Sequence, residues 1–170
     1  MFNSKRRPAA AATIAIASMG LFAAPTQASP PSGISVETYV TGTLMGSDQE
    51  NSDRIKFQTK DDTAVRVQKL TFAAGGKTGW HHHPGIVIVT VKEGTIEMMH
   101  SDCSVHEYGP TSDHGSVFIE GEGRVHNAGS AGGAVVFATY VAPNPAAPVF
   151  RVEDDAPFCA TTLDAAAKSP

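Results

Sequence analysis

Gly75-Gly76-Lys77-Thr78-Gly79-Trp80-His81-His82-His83-Pro84-Gly85 leads straight into Ile86-Val87-Ile88-Val89-Thr90-Val91 and Lys92-Glu93-Gly94, and this stretch decides the fold. A β-branched apolar run between glycine-containing turns has the pattern of a buried strand, and three adjacent imidazoles stand at its entry. Successive side chains of a strand face opposite ways, so His81 and His83 share one face and His82 takes the other. Two imidazoles side by side suit a late first-row metal ion. Two ligands rarely hold an ion tightly. A third is on offer further along the chain, at His126 within Gly121-Glu122-Gly123-Arg124-Val125-His126-Asn127.

Outward from this stretch the strand signals continue. Residues 36–40 and 53–57 are short strand candidates. Residues 65–72 alternate, with Val65, Val67 and Lys69 on one face and Arg66, Gln68, Leu70 and Phe72 on the other. The apolar content of that segment changes face midway, which predicts a bend or bulge. After Gly94, residues 95–99 read as the returning strand of a hairpin, with Gly94 supplying the positive φ of the turn. Segments 105–108, 116–119, 124–127 and 134–141 follow at close spacing, separated by glycine turns. Sixteen glycines and eleven prolines, with no long helical pattern, place the chain among all-β domains. At 170 residues it is long enough for one domain with its own core. A net charge of -4 and a charged fraction of 18% give no reason to expect nucleic acid or an anionic membrane as partner.

The two histidine segments resemble the cupin superfamily. Its first motif is Gly, five residues, His-x-His, three or four residues, Glu, six residues, Gly, and Gly75, His81, His83 and Gly94 fall in that register. Its second is Gly, five residues, Pro-x-Gly, two residues, His, three residues, Asn, matched by Gly115, Gly123 and His126. Three positions depart from the pattern: Val87 stands at the metal-binding Glu, Gly121 at the Pro and Ser130 at the Asn. The resemblance covers residues 35–150. It implies a single-domain cupin-type jelly-roll β-barrel in which His81, His83 and His126 bind a divalent transition metal (Fe(II), Mn, Ni, Cu or Zn). It also makes a homodimer through strand exchange a natural expectation.

Function reads at two levels. A metal-dependent oxygenase acting on a small organic molecule would use the three histidines as ligands and leave positions open for substrate. With Val87 at the acidic position the ligand set is neutral, which would leave the ion more positive and favour an anionic substrate. The alternative is a non-catalytic extracytoplasmic cupin that binds a small molecule or a metal. The histidines could also be hydrogen-bonded barrel residues without an ion. His82 reads as a solvent-facing neighbour, and His100, His106 and His114 as surface histidines. Glu97 would replace the missing acid only if it pointed inward, and Glu122 reads as solvated. Trp80, Met98, Met99, Phe118, Phe137 and Tyr140 fit either core or pocket wall. No nucleophile elbow or phosphate loop is present, so hydrolase and kinase readings have no support.

The ends of the chain speak of location. A basic cluster at 5–7, an apolar small-residue stretch at 9–24 and small residues at 26–28 read as a secretory signal peptide spanning 1–28, with Sec and twin-arginine export both open. The apolar run is shorter than the roughly 20 residues that a spanning helix needs, so no membrane span is expected to survive cleavage. Residues 29–34 read as an extended leader and 151–170 as a C-terminal tail. Export places the protein where disulfides persist, and pairing Cys103 with Cys159 would close a loop of roughly 57 residues and stabilise by about 4 kcal/mol. A free thiol or a soft metal ligand is the other reading of either cysteine.

Overall fold

Alternation along one segment shows how the chain makes its interior: Ala134, Val136, Ala138, Tyr140 and Ala142 are buried, and the residues between them only partly so. That is the period-two signature of a strand with one face inward. The computed structural model describes residues 29–143 and 145–158. The signal-peptide segment 1–28 and Cys159 lie outside the described residues.

In chain order the strands are β1 (Ser32–Leu44), β2 (Gln49–Asn51), β3 (Lys56–Gln58), β4 (Thr63–Lys77), β5 (His81–His82), β6 (Ile86–Gly94), β7 (Ile96–His100), β8 (Val105–Tyr108), β9 (Val117–Glu120), β10 (His126–Ser130), β11 (Ala134–Pro143) and β12 (Val152–Glu153). All pairings are antiparallel. One layer has the order β1-β4-β11-β6-β9. The other has the order β8-β7-β10-β5-β12. The long strand β4 joins them, because its last residues, Gly76 and Lys77, leave the first layer and pair with Ser130 and Gly129 of β10. The result is a nearly closed all-β barrel of jelly-roll form, with β2 and β3 as a separate small hairpin. Between the layers lie Phe72, Val89, Val91, Ile96, Met98, Phe118 and Val136, a continuous apolar core. Among the described residues no helix is long and apolar enough to cross a membrane.

Three local expectations are corrected. The imidazoles do not begin the apolar strand, since Pro84 and Gly85 separate β5 from β6. Proline has no N–H to give to a ladder, so the chain breaks there. Residues 86–94 and 96–100 do not form a hairpin: β6 pairs with β9 and β11, whereas β7 pairs with β8 and β10. Gly94, at φ 73, therefore turns the chain from one layer to the other, and a Cβ there would lie 2.1 Å from the Gly133 carbonyl oxygen. Finally, the bend expected in 65–72 is a bulge in the partner strand. Tyr39 of β1 is the extra residue between the pairs Thr38↔Gln68 and Val40↔Val67. Arg66, Gln68, Leu70 and Phe72 all border one cavity, so the switch in polarity marks where the wall that β4 gives that cavity changes from polar to apolar.

Candidate metal centre

The loop before β5 is fixed by a reciprocal clip. Thr78 N–H donates to the Ala128 carbonyl at 2.8 Å, and Ala128 N–H donates to Thr78 Oγ1 at 2.9 Å. This holds the incoming chain against β10, so His81 and His126 become direct cross-strand partners. Gly123 N–H donates to the His83 carbonyl at 2.9 Å, which ties the turn before β10 to the end of the histidine run. Two parts of the chain far apart in sequence thus deliver three side chains to one place.

His81, His83 and His126 are 4%, 3% and 1% exposed. Their ring centroids are 4.3 Å (His81–His126), 4.8 Å (His81–His83) and 5.2 Å (His83–His126) apart, and one ligand nitrogen from each lies within 4.8 Å of the others. Strand parity holds along the histidine run: His82 faces away, half-buried, with Nδ1 2.7 Å from Asp154 Oδ2. In each of the three converging rings Nδ1 meets a backbone carbonyl. The acceptors are Gly79 for His81 at 2.9 Å, Phe150 for His83 at 2.5 Å and Arg124 for His126 at 2.7 Å. A carbonyl only accepts, so each Nδ1 carries the proton and each neutral ring offers the lone pair of Nε2. Carbonyl partners of this kind orient metal-ligating histidines and fix their tautomer. Among the described residues, the Nε2 of His126 is the one buried side-chain nitrogen or oxygen with no hydrogen bond. A buried lone pair without a donor is costly unless something electropositive meets it. The residues therefore fit a divalent transition metal.

One acid reaches the cluster, and the sequence reading passed over it. Glu120, the last residue of β9, has Oε2 3.1 Å from His83 Nε2 and Oε1 3.3 Å from His126 Nε2. The expectation of a purely neutral set of groups is thus corrected. Glu97 and Glu122, the two acids weighed from sequence, are exposed. Glu120 was hidden because it ends the run Val117-Phe118-Ile119, whose unbroken apolarity gives no parity. The available signal was its place immediately before Gly121, the Pro position of the second motif.

Burial pushes the Glu120 carboxyl up, but in the metal-free protein the hydrogen bonds and charge that His126 and His83 present to it when protonated outweigh this and hold it at about 2. His81 is lowered to about 3, first by burial and then by the charges of His126 and Arg151. It stays neutral at any ordinary pH. For His126 burial is overcome by Glu120, and its pKa is raised.

The cluster opens onto a cavity of about 320 Å³ between the layers. Its apolar walls include Leu70, Phe72, Val89, Phe118 and Val136, and its polar ones Arg66, Gln68 and Tyr140. Burial, reinforced by the Glu120 charge, raises the pKa of the Tyr140 hydroxyl. The open choice between core and pocket divides accordingly. Phe118 and Tyr140 line the cavity, Trp80 and Met98 are buried, and Phe137 lies against Tyr39 with centroids 6.1 Å apart. His100, His106 and His114 form a file, with centroids 5.7 and 5.4 Å apart, that starts beside His126 across the β7/β10 pair.

Fold and site together define a nearly closed antiparallel β-barrel with three inward histidines. No family model matches the chain, and no curated protein matches it. Solved structures with a similar fold include a conserved protein of unknown function from Streptococcus pyogenes, 16% identical over 65% of this chain and 75% of that one, with a TM-score of 0.45. Salicylate 1,2-dioxygenase from Pseudoaminobacter salicylatoxidans, in complex with gentisate, is 13% identical over 63% of this chain, with a TM-score of 0.44. This chain spans 25% of that enzyme's length. An uncharacterized conserved protein with a double-stranded β-helix domain from Klebsiella pneumoniae is 23% identical over 55% of this chain and 75% of that one, with a TM-score of 0.42.

Proposed function

We propose that this is an exported cupin that holds a divalent transition metal through His81, His83 and His126 and uses it as an oxidoreductase, of the dioxygenase kind, on a small organic molecule. The observation that carries the reading is the shared tautomer. Three buried rings each give their Nδ1 proton to a carbonyl and leave Nε2 for a common centre at the wall of a cavity. A metal bound there would supply Lewis acidity and coordination positions open to substrate.

The chain's own residues do the rest. The apolar walls exclude water and fit the body of a small ligand rather than a polymer. Tyr140 keeps its proton and can donate a hydrogen bond into the cavity. Arg66 lies with its guanidinium carbon 3.9 Å from the Phe150 ring centroid and donates to Thr41 Oγ1, and among the described residues no carboxylate pairs with it. An arginine without a carboxylate on a cavity wall suits an anionic group on the ligand. Preference for an anionic substrate thus rests on Arg66 rather than on a neutral ligand set.

The test is metal analysis of mature protein that has never met a nickel column, followed by oxygen uptake with small aromatic and aliphatic carboxylic acids. One metal per chain and substrate-dependent uptake are expected. Stoichiometric metal with no uptake would favour the second reading, a binding protein built on the same barrel. No metal in either native or reconstituted protein would remove the metal reading. Export and the Cys103–Cys159 disulfide belong to the same proposal: the mature chain should begin near Ser29 and carry no titratable thiol.

A further inference from the structure

In the resembling family's first motif the acidic ligand would stand at 87, on β6, where this chain has a valine that is 1% exposed. The residue paired with Val87 across the β6/β9 ladder is Glu120. Cross-strand partners have Cβ atoms about 4.5–5.5 Å apart and side chains on the same face, so a carboxylate grown from either position enters the same volume. Tyr140 is the partner of Val87 on the other side, and Tyr140, Val87 and Glu120 form one row across β11, β6 and β9.

The contacts at the end of this row call for a cation. Both rings facing Glu120 have their Nδ1 protons committed to carbonyls. Their neutral forms therefore present Nε2 lone pairs to the carboxylate oxygens at 3.1 and 3.3 Å. Lone pair against lone pair at that distance is repulsive unless a positive charge lies between, either a proton on one of the rings or a metal ion, and a single ion answers both contacts at once. Ligand atoms at about 2.1 Å from a common ion stand about 3.0 Å apart in an octahedral site and about 3.4 Å apart in a tetrahedral one. The two observed separations, one from each carboxylate oxygen, fall within that range. The only ion-pair contacts of Glu120 among the described residues are these two histidines, although its side chain is only 10% exposed. A buried carboxylate with no arginine or lysine partner has its charge balanced by something else.

We propose that Glu120 is the anionic ligand of the metal centre, the carboxylate having crossed one strand pair from position 87 to position 120. This rests on the reading that His81, His83 and His126 hold a divalent ion. It makes the site a three-nitrogen, one-carboxylate set, which lowers the net charge of the bound ion by one relative to histidines alone. It also favours harder ions such as Mn(II) and Fe(II) more than an all-imidazole set would.

Cobalt(II) titration of the metal-free protein, followed in the visible spectrum, tests the assignment without reference to activity. Glu120→Gln keeps the shape and removes the charge; it should weaken cobalt binding by about 100-fold and change the band pattern of what does bind. Adding Val87→Glu to Glu120→Gln returns a carboxylate to the same volume and should recover at least tenfold of that loss. Wild-type affinity in Glu120→Gln, or no recovery in a double variant that unfolds as cooperatively as the wild type, would overturn the proposal. Should Glu120→Gln not fold, the cobalt-minus-apo infrared difference spectrum of the wild type decides. A shifted carboxylate stretch is expected, and its absence would overturn the assignment. Failure of the wild type itself to bind cobalt would instead sink the three-histidine reading.

Discussion

Each of the three histidines is defined by what its second nitrogen does. A ring whose Nδ1–H is held by a carbonyl cannot turn to offer the other nitrogen, so ligand geometry is set before any ion arrives. His83→Ala should abolish metal loading, whereas His82→Ala should leave it nearly intact and cost about 1 kcal/mol through the lost, half-exposed contact with Asp154. Equal loss in a metal assay of the two variants would contradict this division. The pH dependence of the metal-free protein follows from the same groups. His81 has a folded pKa of about 3 against an ordinary 6.5, so the unfolded chain binds a proton that the folded one refuses. Its contribution is complete above pH 6.5 and is lost as the pH falls toward 3, with a slope approaching 1.4 kcal/mol per unit, roughly one proton. Glu120, lowered from 4.5 to about 2, adds a loss between those values. His126 acts in the opposite sense: its pKa is raised, so its contribution is present below 6.5 and fades as the pH rises through the elevated value. Thermal unfolding of metal-free protein across pH should therefore fall away steeply on the acid side. Stability that held constant from pH 6.5 to 4 would show that His81 is not the buried neutral ring described.

The loop and short strand around β5 place these rings. Gly79 has φ 73, its carbonyl accepts from His81, and a Cβ on it would stand 1.8 Å from the Ser29 carbonyl oxygen. Gly79→Ala should cost at least about 2 kcal/mol and also weaken metal binding, because the anchor of His81 moves with it. Gly42→Ala has nothing within 4 Å and no positive φ, so it serves as the silent control. Calorimetry on the two variants checks both statements. This is also the level at which sequence reading succeeds in part. The histidine parity was readable because period-two alternation runs through His81-His82-His83, all of which precede the Pro84-Gly85 break, and Gly94 was readable as a turn because only glycine sits easily at its φ. The partners of β6 and β7 were not readable, since a tight turn signals reversal without saying which layer receives the next strand. Glu120 was missed for a related reason: its pairing with Val87 is a long-range register, absent from any local window.

For the molecule as a whole, the core and the cavity share walls, Phe72, Val89, Phe118 and Val136 among them, so stability and function separate only at core residues that do not border the cavity. Met98, 1% exposed, packs in the core, and Met98→Ala should destabilise by about 2–5 kcal/mol with metal stoichiometry unchanged in the folded fraction. Loss of metal in step with stability would mean that the site and the core are not independent. The account stands on convergence of three imidazoles and one carboxylate inside the barrel. Anomalous scattering from crystals of protein purified without a metal-affinity column tests it most directly. One peak per chain is expected, within bonding distance of Nε2 of His81, His83 and His126 and of the Glu120 carboxylate. A metal-reconstituted crystal with no peak inside the barrel, or with its ion at the surface histidines, would contradict the account.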